Sequence, residues 1–156
     1  MVSRSATQAR QAAATRPAVR VAAAVVGAIF LLIGVLGFIP GITTNFDEIR
    51  FADHESEAQL LGVFQVSILH NIVHLAFGVA GLAMARTVPA ARAYLIGGGA
   101  IYAVLWLYGL IVEYESPANF LALNDADNWL HLGLAIGMIA LGFLTSRGPQ
   151  SATHQR

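Results

Sequence analysis

The chain has 156 residues, 56% hydrophobic and 12% charged, and its nine basic and nine acidic side chains cancel to no net charge. That is about half the ~25% charge of an ordinary soluble domain, too little to cover a water-soluble globule of this apolar content. The sequence has no cysteine, which excludes disulfides, thiolate metal sites and iron–sulfur clusters, and no lysine, which excludes a Schiff base to retinal or pyridoxal phosphate.

In chain order, residues 1–17 contain Arg4, Arg10 and Arg16 and no acid. They read as a disordered basic tail that can rest on anionic headgroups, and the arginines are too dispersed for a nucleic-acid patch. An apolar run at 18–39 follows. It is longer than the ~7–15 residues of a signal peptide's core and has no small-residue cleavage site after it, so it is expected to be a retained helix. Pro40-Gly41 stops it. Asp47, Glu48, Asp53, Glu55 and Glu57 then form an acidic loop with one arginine, Arg50. A second apolar run spans 60–85, Arg86 and Arg92 come next, and a third run spans 93–112. A second acidic loop holds Glu113, Glu115, Asp125 and Asp127, and its acids, like those of the first, are expected to stay solvated. The fourth run spans 129–145, and residues 147–156 form a second tail containing Arg147 and Arg156.

Each run is near the ~20 residues that cross ~30 Å of hydrocarbon. Basic residues mark the cytoplasmic side. The expected fold is therefore all-α: a four-helix membrane bundle over residues 18–146, with both tails in the cytoplasm and both acidic loops outside. A bacterial inner or plasma membrane is the expected location and the lipid bilayer the expected partner. A homo-oligomer or a membrane complex is compatible with the small-residue faces, and nucleic acid is not a partner.

The helices read as two copies of one hairpin. Gly27-Ala28-Ile29-Phe30 recurs as Gly99-Ala100-Ile101-Tyr102, Gly37 as Gly109, Asn45-Phe46 as Asn119-Phe120, Ala52-Asp53 as Ala126-Asp127, and Asn71-Ile72-Val73-His74-Leu75 as Asn128-Trp129-Leu130-His131-Leu132. Each copy holds two helices, so the symmetry axis expected is a pseudo-twofold along the membrane normal. Close helix approach is expected at Gly34, Gly37, Gly78, Gly81, Gly97-Gly98-Gly99 and the Gly133-x-x-x-Gly137 pair. Trp106, Tyr108, Tyr114 and Trp129 fit the outer aromatic belt.

The candidate chemistry is a polar layer of Ser67, His70, Asn71, His74, Asn128 and His131 inside apolar runs, where unpaired polar groups are costly and usually face the bundle interior. At ~100° per residue, Ser67, His70, His74, Gly78 and Gly81 share one face of the second helix. The leading expectation is that the layer is structural, bonding across helices, with no cofactor and no catalysis. The first alternative is a haem or divalent metal held by His70, His74 and His131, and the second is proton or small-solute permeation. Depth pairs His131 with His70, whereas the repeat pairs it with His74. A serine hydrolase is disfavoured, because Ser67 lacks a Gly-x-Ser-x-Gly setting.

Three segments, Leu61-Gly62-Val63-Phe64-Gln65-Val66-Ser67-Ile68-Leu69-His70-Asn71-Ile72-Val73-His74-Leu75, Tyr108-Gly109-Leu110 and Asp127-Asn128-Trp129-Leu130-His131, carry a resemblance. The chain resembles domain-of-unknown-function family 4383 from residue 19 to residue 144. The resemblance implies a small four-helix bacterial inner-membrane protein and carries over no catalytic residues.

Overall fold

The computed structural model describes residues 2–145, with side chains from residue 18 onward. It contains four α-helices, α1 (Val2–Leu36), α2 (Ile68–Met84), α3 (Val88–Ile111) and α4 (Asp125–Leu144), and three two-residue strands, β1 (Thr43–Thr44), β2 (Gln59–Leu60) and β3 (Phe64–Gln65). The helical bundle expected from sequence is therefore present. The helix backbone of α1 begins within the expected tail, and its apolar, span-length part runs from Ala18 to Leu36. The second expected tail, 147–156, lies outside the described residues.

Three helix boundaries differ from expectation, each because of a cap. The second apolar run was expected to be helical from residue 60, but α2 starts at Ile68, where Ser67 caps it by accepting a hydrogen bond from the His70 N–H. The preceding apolar residues fold back as an antiparallel hairpin, β2 on β3, turned at Leu61-Gly62 with both residues at positive φ. β1 completes a three-stranded sheet. α3 starts at Val88, with Thr87 as its cap, so Arg92 lies within the helix instead of the connecting loop. α4 starts at Asp125, behind a capping box made by Asn124 and Asp127.

α1 packs chiefly on α2 and α3 chiefly on α4, while α1 also meets α3. The small sheet roofs the C-terminal end of α1, where Ala58, Leu60 and Val66 bury themselves with Ile33, Leu36 and Ile42. At the opposite end Arg20 donates from Nε to the Ala85 carbonyl, 2.9 Å away, closing the C-terminus of α2. The main core holds Phe30, Tyr94, Leu95, Tyr102 and Met138.

Glycine decides how closely the helices approach. A Cβ on Gly27 would meet the backbone of Gly78, Gly81 and Leu82 on α2, and a Cβ on Gly99 would meet that of Ala135 and Ile139 on α4. Gly133 and Gly137 do not play this part, contrary to expectation, since a Cβ on either meets nothing within 4 Å. The face of α4 that does pack carries Asn128, His131, Ala135, Met138 and Gly142, which are buried.

The outer surface is apolar. Val21, Val25 and Leu32 on α1, Val104 and Leu110 on α3, and Ile136 on α4 are each about half exposed or more. Only 28–33% of the most apolar window of α1, α3 or α4 is buried, the reverse of a soluble bundle's patterning. Those three helices are long and apolar enough to cross a membrane, while α2 is apolar but has 17 residues.

Candidate functional site

The two turns after the Ser67 cap carry His70, Asn71 and His74. Spacing of four residues stacks the imidazoles of His70 and His74, with ring centroids 4.6 Å apart and planes 8° from parallel. His74 Nδ1 lies 3.0 Å from the His70 carbonyl. A carbonyl only accepts, so this nitrogen carries the proton and Nε2 of neutral His74 is left as the acceptor. The His70 ring lies beside the backbone of Leu121, in the loop between α3 and α4. Asn71 turns to α1 and donates from Nδ2 to the Gly37 carbonyl at 2.8 Å. Any Cβ on Gly37 would overlap the Asn71 amide.

α4 presents the matching groups. A Cβ on Gly109 would overlap the Asn128 amide, as at Gly37 and Asn71. His131 packs on Tyr102 with centroids 5.3 Å apart and planes at 55°, and His74 packs on Phe30 at 5.5 Å and 50°. Phe30 and Tyr102 then stack on each other at 5.4 Å and 13°. His131 is also 6.4 Å from His70. The depth and repeat expectations thus describe different relations: His131 neighbours His70, and its aromatic setting matches that of His74.

Ser67, Asn71, His74, Asn128 and His131 are all buried, and His70 is half buried. The Asn128 Oδ1 and His131 Nδ1 atoms have no hydrogen-bond partner in the protein. Gln65 is not part of the layer. It lies in β3, and its side chain donates to the carbonyls of His54 and Ser56.

Asp127 is the residue that sequence reasoning misplaced. It was expected to stay solvated, yet it is 2% exposed. Its Oδ2 accepts from the Gln65 N–H at 3.0 Å and the Asn124 N–H at 3.2 Å, joining β3 to the start of α4. The Asn124-x-x-Asp127 spacing of a capping box was the available signal. Leu121 and Leu123, which line the cavity beside the histidines, carry no sequence signal of their own, whereas Tyr102 stands where Phe30 does in the matched segments.

A metal lies in the plane of each imidazole that binds it, along the nitrogen lone pair. The near-parallel, stacked planes of His70 and His74 do not converge on such a point, and among the described residues no group of three or more His, Cys, Asp or Glu side chains could hold a metal ion. The cavity beside them measures about 70 Å³, well below the ~300–1,000 Å³ of small-molecule and cofactor sites. The observed rotamers therefore fit neither a haem nor a three-histidine metal centre.

No curated protein and no solved structure matches the chain. The family model described as Domain of unknown function (DUF4383) matches residues 20–144, a span that contains α2, α3 and α4, both acidic loops and every histidine and asparagine of the layer. The chain belongs to the DUF4383 family.

Proposed function

We propose that this is a non-enzymatic integral membrane protein of the bacterial inner membrane, crossing it four times with both termini in the cytoplasm, and that its His/Asn layer is a structural joint. In this reading two tandem hairpins, α1–α2 and α3–α4, are related by a pseudo-twofold along the membrane normal that passes between Phe30 and Tyr102. The observation that carries it is the pairing of contacts: Gly37 with Asn71 as Gly109 with Asn128, and Phe30 with His74 as Tyr102 with His131. Repeated contacts between repeated residues favour a role in assembly. Phe30, Phe77 and Tyr102 pack mutually within 5.4–5.7 Å beneath the histidines, and that plug disfavours a permeation path. α2 is short for a span at ~1.5 Å per residue, and the sheet above it pairs its backbone groups, as a segment near the hydrocarbon edge requires.

The chain has no native cysteine, so single cysteines can be labelled from either side. Labelling at Glu57, Thr87, Pro117 and Ser151 is expected to report outside, inside, outside and inside. An inside signal at Pro117 would end the four-span reading.

A further inference from the structure

The end of the bundle where α2 turns into α3 carries cations without anions. Arg20, Arg86 and Arg92 lie there, whereas all nine side-chain carboxylates fall in residues 47–57 and 113–127, at the opposite ends of α2 and α3. Arg20 is bonded to the Ala85 carbonyl. Arg92 is placed differently, one turn inside α3, with its guanidinium carbon 5.8 Å from the centre of the Phe143 ring on α4. An aromatic face attracts the charge but leaves the N–H donors of the planar fork for other acceptors. Among the described residues no carboxylate pairs with Arg92, and the placement of the acids in the sequence puts them all out of its reach. The anion that completes this group therefore comes from outside the side chains of this protein.

Arg92 also stands in the wall of a groove. The groove, of about 630 Å³, lies along α3 beside α4; Val88, Ala93, Ile96 and Gly97 line it from α3, Phe143 lines it from α4, and Arg92 is its one charged residue. From Val88 to Gly97 is nine residues, ~14 Å at ~1.5 Å each, close to the ~15 Å of one hydrocarbon leaflet. Gly97 is exposed and a Cβ on it would meet nothing within 4 Å, so the far end of the groove is open. A cation near the start of a spanning helix, with an apolar channel leading from it along that helix, matches a phosphate head joined to an aliphatic chain. A soluble anion would leave the channel unfilled, and a neutral lipid would leave the guanidinium without its counter-charge. We infer that the α3–α4 groove binds an anionic phospholipid, its phosphodiester on Arg92 and one acyl chain along Ile96 and Gly97. This rests on the membrane reading above. The cysteine labels can come out as expected while this site fails, and lipid offered in detergent has no sidedness, so the site is read whatever the labels report.

The test is native mass spectrometry of the full-length protein in detergent, titrated with dioleoylphosphatidylglycerol or dioleoylphosphatidylcholine. One phosphatidylglycerol should be retained saturably, at least about fivefold more tightly than phosphatidylcholine, the worth of one basic residue at an anionic surface. Arg92→Gln should bring that ratio to within about twofold of one. Gly97→Leu should weaken both lipids by about fivefold by filling the groove. Arg86→Gln removes a charge from the same end but outside the groove, and it should leave the ratio unchanged. Glycerol phosphate, a head without chains, should not compete at equal concentration. Equal retention of the two lipids, an undiminished ratio in Arg92→Gln, an equal loss in Arg86→Gln, undiminished binding in Gly97→Leu, or displacement by glycerol phosphate would each overturn the proposal. Should Arg92→Gln lose its monodisperse gel-filtration peak, the ratio in the parent protein and binding to Gly97→Leu decide the matter.

Discussion

Asn71 and Asn128 occupy space that only glycine leaves free on the facing helix, so each Gly–Asn pair is a steric and polar lock at once. Gly37→Ala and Gly109→Ala should each destabilise the protein by about 1–3 kcal/mol, the usual cost of forcing a side chain into a packed core. Thermal unfolding in detergent checks this. Gly133→Ala and Gly137→Ala should leave stability unchanged or raise it by up to ~1 kcal/mol, because they add helix propensity without meeting anything. Equal losses at all four glycines would refute the distinction. At the histidines, interhelical polar contacts in membranes average ~0.6 kcal/mol and reach ~1.7. His74→Leu and His131→Leu should therefore lower stability by no more than that if the layer is structural. A bound metal or Soret band in the parent protein that either variant abolishes would point to a cofactor instead, since losing one ligand usually abolishes metal binding.

Among the elements, the start of α2 has the least support from length and the most from its cap. Ser67→Ala removes the acceptor for the His70 N–H and should cost ~1 kcal/mol. Asp127→Leu should cost more. It strips the acceptor from the N–H groups of Gln65 and Asn124 together, and a buried donor left unpaired costs ~1–3 kcal/mol. Hydrogen exchange gives the sharper readout: the Gln65 amide should exchange faster in Asp127→Leu and be unaffected in Asp125→Leu, whose side chain is exposed. No change at Gln65 would mean that the β3–α4 tie is dispensable.

At the scale of the whole molecule, α1 and α3 meet through Phe30 and Tyr102. A double-mutant cycle with Phe30→Leu and Tyr102→Leu should show a coupling of ~0.5–1.5 kcal/mol, the range of a specific aromatic pair. A coupling near zero would move the joint elsewhere, to the outer sheet or the Asp127 tie.

The helical class, the four apolar runs and the buried face of α4 were legible in the sequence, because periodicity and the cost of exposing apolar or polar groups act locally along one helix. The residues matched between the two halves are read from the sequence too, and the paired contacts among them are what support the proposed two-hairpin reading. Boundaries were less so. The run beginning at Leu60 is as apolar as a helix, and only the positive-φ turn at Leu61-Gly62 and the Ser67 cap mark it as a hairpin. The direction in which a small-residue face packs was not legible at all. Gly133 and Gly137 have the spacing of a contact motif, yet α3 lies against Ala135 and Ile139 on the other side of α4. Likewise, the Asn124-x-x-Asp127 spacing marks a cap but not the burial of Asp127 against β3, and nothing local says that the buried His131 Nδ1 would be left without a hydrogen-bond partner. Those outcomes depend on which residues distant in the chain arrive on the far side of each group, and that is decided only when all four helices and both acidic loops are packed together.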